Sequence, residues 1–442
     1  MRLYLKNVGK VSEADIKLDG ITVIAGENNT GKSTVGKMLY CLFHSFYREK
    51  EQIDREREKT IARVISDFYR EATNRYTMGF NPEIIAGRIN AGSKDFIADK
   101  CKLERTLSQL YTEVDKNFLQ YADQEGLHKL TNKVYDFLNI SDDEIRKVIL
   151  KKRLDAEFRM KVGYINNPED KSEVELQIKD NRIGVEISHK DVITIKDYIS
   201  LIKEIIYIDD PFVLDDLDNM SPFGFYNSYS HRIDLLQKLS DTGKSSEFSA
   251  LDELVVSKKL EKILETMKDV CDGELISMDD RGTYVYKTDR LSAPLDIVNM
   301  STGLKSFVIL RTLLEKGRID ENGVVILDEP EIHLHPEWQL KFAEIIVLIQ
   351  REFKTNILLN THSPYFLNAI EVYSEKYGIG DVCNYYLTKE QDGRTDIVEV
   401  TDNRELIYAK LARPLQDLEN MEYRNGEKLY NKNTMFHRCF VY

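Results

Sequence analysis

The stretch IAGENNTGKST, Ile24 to Thr34, decides how the rest of the chain is read. Gly26 to Ser33 fits G-x-x-x-x-G-K-[ST] without a mismatch, the spacing of a glycine-rich loop whose backbone N–H groups cradle phosphates. The apolar run ITVIAG leads into it. KSTVGKMLYCLFHSF, Lys32 to Phe46, leaves it with apolar residues at helical spacing. Strand, loop and helix in that order aim a helix N-terminus at the phosphates. Gly26, Asn28, Asn29, Thr30, Gly31, Lys32, Ser33 and Thr34 are therefore the expected nucleotide contacts. Lys32 supplies the point charge on the outer phosphates, and the Ser33 hydroxyl is a Mg²⁺ ligand. A cradle binds a nucleotide but does not hydrolyse it, so a metal-holding carboxylate and a base must come from elsewhere.

GVVILDEPE, Gly323 to Glu331, supplies both. Four apolar residues read as a central parallel strand, and such sheets place ligands at the C-terminal strand ends. Asp328 fits a Mg²⁺ ligand, because hard Mg²⁺ takes oxygen donors. Glu329, one residue on, points differently and fits a general base that polarises water. NMSTGLKSF, Asn299 to Phe307, opens another helix: Ser301 and Gly303 either offer a hydroxyl and N–H groups to an anion or simply cap that helix. ILLNTHSPYFL, Ile357 to Leu367, is an apolar strand ending at His362, either a structural histidine or a sensor of the terminal phosphate.

In this order the motifs resemble the ABC-type ATPases of chromosome-maintenance and double-strand-break-repair heads. The wording DEPEIHLHPEWQ and THSPYFL is most similar to the bacterial overcoming-lysogenization-defect-like ATPases. The resemblance covers residues 1–45 and about 170–415. It implies an α/β ABC-type P-loop head with a mostly parallel sheet, interrupted by helical insertions, that binds ATP and Mg²⁺. It further implies a homodimer or higher homo-oligomer in which Ser301, Gly303 and Lys305 of one subunit reach the γ-phosphate held at the partner's Lys32. His333 and His335 fall where the family crosses its dimer interface. The early-strand glutamine of transporter-type members has no clear counterpart; Gln177 is the nearest and reads as solvent-facing.

Outside the motifs the chain divides by texture. Residues 1–46 and 165–215 read as the first part of the head, and 271–442 as the second part, with the signature, Asp-Glu and His motifs. YREKEQIDREREKTIARVISDFYREA begins a segment, 47–164, dense in both charge signs with helical spacing: a helical insertion or arm, exposed rather than built on a core. Residues 216–270 form a second helical segment of the same kind. The densest basic stretch, IRKVILKKRLDAEFRMK from Ile145 to Lys161, is a solvated helix face or a nucleic-acid contact through Lys147, Lys151, Lys152, Arg153 and Arg159.

The chain has 442 residues and a formal net charge of −13, which excludes a protein coated in positive potential. No apolar run is long enough to span a bilayer, so no membrane partner is expected. Cys41, Cys101, Cys271, Cys383 and Cys439 lie far apart with no paired spacing, which fits a reducing cytoplasm. About 80 residues follow His362, too few for a typical nuclease domain. Any cutting or toxic activity is therefore expected in a separate effector, as in Septu- or PARIS-like arrangements. The function expected is an ATPase that acts as sensor and regulator in anti-phage defence. A repair or chromosome-maintenance head and a nucleotide-gated protein scaffold are the alternatives.

Overall fold

The chain opens with β1 (Arg2–Val8), β2 (Val11–Lys17), β3 (Ile21–Ala25) and α1 (Lys32–Phe46). A helical insertion follows: α2 (Glu49–Thr73), α3 (Pro82–Ala91), α4 (Ser93–Ala98), α5 (Lys100–Val114), α6 (Gln124–Asn139) and α7 (Asp142–Phe158). The chain then returns through β4 (Ser172–Ile178), β5 (Asn181–Ser188), β6 (Val192–Asp197) and β7 (Ile205–Ile208). A 3-10 segment (Pro211–Asn219), α8 (His231–Ser240) and α9 (Ala250–Met267) precede three short strands, β8 (Glu274–Ser277), β9 (Tyr284–Lys287) and β10 (Leu295–Asp296). The last part runs α10 (Thr302–Glu315), β11 (Val324–Asp328), α11 (Pro336–Phe353), β12 (Asn356–Thr361), α12 (Pro364–Lys376), β13 (Cys383–Gln391), β14 (Arg394–Glu399) and α13 (Glu405–Arg424). This computed structural model describes residues 1–73, 81–114, 124–159, 161–167, 169–188, 192–219, 229–240, 250–278 and 283–424. Cys439 and part of the 216–270 segment lie outside the described residues.

Eleven strands form one sheet in the order β6-β5-β4-β1-β2-β14-β13-β3-β12-β11-β7. From β13 to β7 every neighbour is parallel. From β6 to β2 every neighbour is antiparallel; short connections join β1 to β2, β4 to β5 and β5 to β6, whereas β1 and β4 pair across the whole insertion. β14 joins the halves, antiparallel to β13 and parallel to β2. The sheet is thus mixed, and its parallel half carries the motifs.

Every residue of β3 and β11 is buried, which is why both read as unbroken apolar runs. One face of the sheet packs Phe307, Phe342, Ile346 and Phe366 from α10, α11 and α12. The other packs Val35, Met38 and Leu39 from α1 with Leu150 and Leu154 from α7. Burial of each such side chain contributes about 1.5–3 kcal/mol.

The insertion corrects one expectation. Its helices close on a core of their own: Ile61, Ile65, Tyr69, Ile89, Leu107, Tyr111 and Val134 are all buried together. The Tyr111 hydroxyl donates to the Ile65 carbonyl at 2.9 Å inside it. The segment is a packed helical body rather than a solvated arm. Residues 216–270 are corrected too, since Leu235, Leu236, Leu239, Ile263 and Met267 belong to the main core. Among the described residues no helix is long and apolar enough to cross a membrane.

Candidate nucleotide-binding site

The loop after β3 is shaped by its glycines. A Cβ on Gly26 would stand 1.9 Å from Thr388 Oγ1. On Gly31, in the left-handed region at φ 88°, it would stand 2.8 Å from Val11 Cγ2. Asn29 turns the tip at φ 65°, with Glu27, Asn28 and Asn29 exposed. Thr30 is buried and donates to the Glu27 carbonyl at 2.8 Å. Lys32, Ser33 and Thr34 form the first turn of α1, where backbone N–H groups lack helical partners. The Lys32 ammonium turns back into the loop, donating to the carbonyls of Gly26 at 3.0 Å and Glu27 at 2.8 Å.

Register brings the other motifs to the same edge. Asp328 at the end of β11 lies opposite Asn360 on β12, and Thr361 lies opposite Ala25, the residue before the loop. The Asp328 carboxylate is buried, with Oδ1 accepting from Asn360 Nδ2 and Oδ2 from the Tyr207 hydroxyl, both at 2.9 Å. Glu329 adopts φ 52°, left-handed for a side-chain-bearing residue, and this swings it off the strand line. Its N–H still donates to the Asn360 carbonyl at 2.9 Å. Its Oε1 lies 3.3 Å from Lys32 Nζ and 3.4 Å from His362 Nδ1. Lys32, Glu329, His362 and Asp328 are thus brought together.

Ser301 does cap α10: its hydroxyl accepts from Leu304 N at 3.4 Å and it is exposed. Gly303 is buried, where a Cβ would stand 3.1 Å from both the His333 carbonyl and Trp338. Among the described residues neither bonds to the loop of its own chain. Lys305 is a correction. Its side chain is 2% exposed and ion-paired with Asp215, beneath the Phe212 ring, so it does not reach the exposed end of the helix. His333 packs edge-on to Phe212, and His335 caps α11 through Nδ1, accepting from Glu337 N at 3.4 Å.

The basic stretch is corrected in part. Arg153 is buried and donates to Gln52 at 2.8 Å, while Lys152 is bonded to Glu56 and Tyr229. Arg146 is buried against Glu49 and Asp143. These charges hold α7 to α2, leaving Lys147, Lys151 and Arg159 on the outside. Gln177 is exposed on β4, as read.

Three site neighbours escaped the sequence reading. Tyr207 and Asn360 hold Asp328, and the buried Glu331 accepts from the Thr361 hydroxyl and from His362 N. Burial pushes the Glu331 carboxyl above the usual carboxylate range, against those hydrogen bonds. Asn360 carried a signal: a wholly buried amide inside ILLNT must be hydrogen-bonded to something. The residues fit a Mg²⁺–nucleotide complex. The cradle admits no Cβ at its glycines, and a hydroxyl and a carboxylate, both hard oxygen donors, stand beside a buried ammonium.

The AAA ATPase domain family model matches residues 1–367. Among curated relatives, a retron Vc95 probable ATPase from Vibrio cholerae serotype O1 biovar El Tor is 23% identical, over 83% of this chain and 74% of its own length. The Septu protein PtuA of Bacillus thuringiensis is 26% identical over 39% of this chain, and the match spans 44% of that relative. A solved SMC head domain from Thermotoga maritima is 11% identical, covering 90% of this chain and 98% of that one, at a TM-score of 0.37. The retron and Septu relatives agree with the resemblance drawn from the motifs. On the match to residues 1–367, the chain belongs to the AAA ATPase domain family.

Proposed function

We propose that this ATPase works as a head-to-head dimer and regulates a separate effector in anti-phage defence. The observation that carries the ATPase chemistry is the convergence of Lys32, Glu329 and His362 within 3.3–3.4 Å at the ends of adjacent parallel strands. On this reading Lys32 and the first turn of α1 hold the phosphates of ATP. Ser33 and Asp328 would hold Mg²⁺, which neutralises charge on the outer phosphates when bound. Glu329 accepts a proton from the attacking water, and His362, with its ring 38% exposed, senses the terminal phosphate.

Ser301 supports the dimer. It is exposed at the N-terminus of α10, and among the described residues it makes no hydrogen bond to its own cradle, so N–H groups of that first turn are available to a partner's γ-phosphate. The effector role rests on the likeness to retron and Septu relatives, and the effector is expected to be a nuclease or toxin on another polypeptide. A nucleic-acid trigger finds less support than a protein one, because Arg146 and Arg153 are buried and Lys152 is paired with Glu56.

Complementation tests the dimer. Ser301→Arg puts a bulky side chain where the partner's phosphate must come, and Lys32→Ala empties the cradle, so each variant alone is expected to be inactive. Mixing the two leaves one intact composite site in each mixed dimer, and ATPase activity should return. A verified mixed dimer that stays inactive would mean that each site is completed within its own chain.

A further inference from the structure

Beside the candidate site lies a charged cluster that the ATPase reading does not use, with Glu157 and His231 buried and Asp209 reaching the surface. His231, the first residue of α8, sits between two carboxylates from distant parts of the chain. Its Nδ1 is 2.7 Å from Glu157 Oε2 and its Nε2 is 2.9 Å from Asp209 Oδ2. Its backbone N–H donates to the other Glu157 oxygen at 2.7 Å, so both oxygens of Glu157 grip one residue. Glu157 lies in the last turn of α7, the helix that returns from the insertion, and its side chain is 1% exposed. Asp209 directly follows β7.

The His231 ring stacks on Tyr207, centroids 4.4 Å apart and 25° between planes. Tyr207 is the residue whose hydroxyl fixes Asp328. On its other side α1 comes so close that a Cβ on Gly36 would stand 3.3 Å from that hydroxyl. Two facing carboxylates make His231 a donor at both nitrogens. Burial draws its pKa down, but the hydrogen bonds it donates to Asp209 and Glu157 outweigh that and raise the pKa to about 9. The Tyr207 ring is buried, and its hydroxyl donates to Asp328 Oδ2 at 2.9 Å.

We propose that His231 is a positioning residue, clamped by Glu157 of the insertion and by Asp209, that holds Tyr207 and thereby the orientation of the Asp328 carboxylate. The insertion is thus tied to the metal-holding side of the site through three side chains. Asp328 has one hydrogen bond on each oxygen. Loss of the Tyr207 bond frees the carboxylate to rotate away from the direction a metal needs. This rests on the reading of Asp328 as the metal-holding carboxylate.

The test compares binding of a fluorescent ATP analogue to the full chain in Mg²⁺ and in EDTA, so no turnover is required. Tyr207→Phe, His231→Gln and Glu157→Gln should each cut the affinity gained from Mg²⁺ by about 10-fold, the lower end of what outer-shell partners of metal ligands contribute. Affinity in EDTA should stay near the parent value, a result that a generally damaged fold would not give. Should Glu157→Gln fail to fold, Glu157→Asp withdraws the carboxylate by one methylene and carries the same expectation. The double variant Glu157→Gln/Tyr207→Phe should lose no more than the worse single one, because both act along one chain of contacts. An unchanged Mg²⁺ gain in the His231 and Glu157 variants, or additive losses in the double variant, overturns the proposal. Asp328→Asn separates the two ideas: if it keeps the full Mg²⁺ gain, the metal-ligand reading itself fails.

Discussion

Lys32→Ala is expected to weaken ATP binding by about 100-fold or more, the scale of removing one partner from a buried, hydrogen-bonded charge pair. The side chain is 3% exposed and its ammonium is enclosed by the Gly26 and Glu27 carbonyls and by Glu329. An incoming phosphate therefore meets a cation already desolvated and aimed, and alanine removes the charge and opens the loop together. Sequence alone offers no lysine to take its place, but the structure brings two to the rim. Lys10 donates to the Asn29 carbonyl at 3.1 Å, and Lys410 donates to the Thr388 carbonyl at 2.7 Å while lying 3.8 Å from Glu27. Their charge leaves a residual affinity, so the loss is expected to be large but finite. Calorimetry with ATP checks it, with thermal unfolding to confirm the fold. Near-parental affinity would remove Lys32 from the site.

The parts of this site that could be read from sequence are those whose geometry is local. Strand, glycine turn and helix lie within residues 21–46, and the ends of α1 fall where the apolar spacing puts them. Asp328 and Glu329 are legible because they end an apolar strand, and strand ends are where a parallel sheet is open. Lys305 was misread because its direction is set by Asp215, 90 residues upstream, which no helical periodicity reveals. The same holds for Lys152 and Arg153, whose partners Glu56 and Gln52 lie about a hundred residues away on α2. A helix period tells which side is apolar but not what covers it, so a packed insertion looked like a bare arm. The antiparallel half was hidden for a similar reason: alternation marks β1, β4 and β5 as strands without stating their neighbours.

Glu329→Gln should bind ATP like the parent chain yet turn it over about 10²-fold more slowly, the low end of what a general base contributes. The substitution is close to isosteric, and the features that aim residue 329 are backbone ones. The left-handed φ of 52° and the N–H bond to the Asn360 carbonyl do not depend on the carboxylate. What changes is charge and basicity. An amide cannot take a proton from water, and it no longer attracts the Lys32 ammonium 3.3 Å away or faces His362 as an anion. Releasing Lys32 from that pair favours its engagement with phosphate, so binding should hold or tighten while chemistry fails. A nucleotide-bound dimer should then accumulate and be visible by size-exclusion chromatography with ATP and Mg²⁺. Glu331→Gln is the contrast. Glu331 is sealed under Thr361 and the His362 N–H, three residues beyond Asp328, and a glutamine there can still accept both hydrogen bonds. Its turnover should fall far less than that of Glu329→Gln. Parental turnover in Glu329→Gln, or an equal collapse in both variants, would take the role of base away from Glu329.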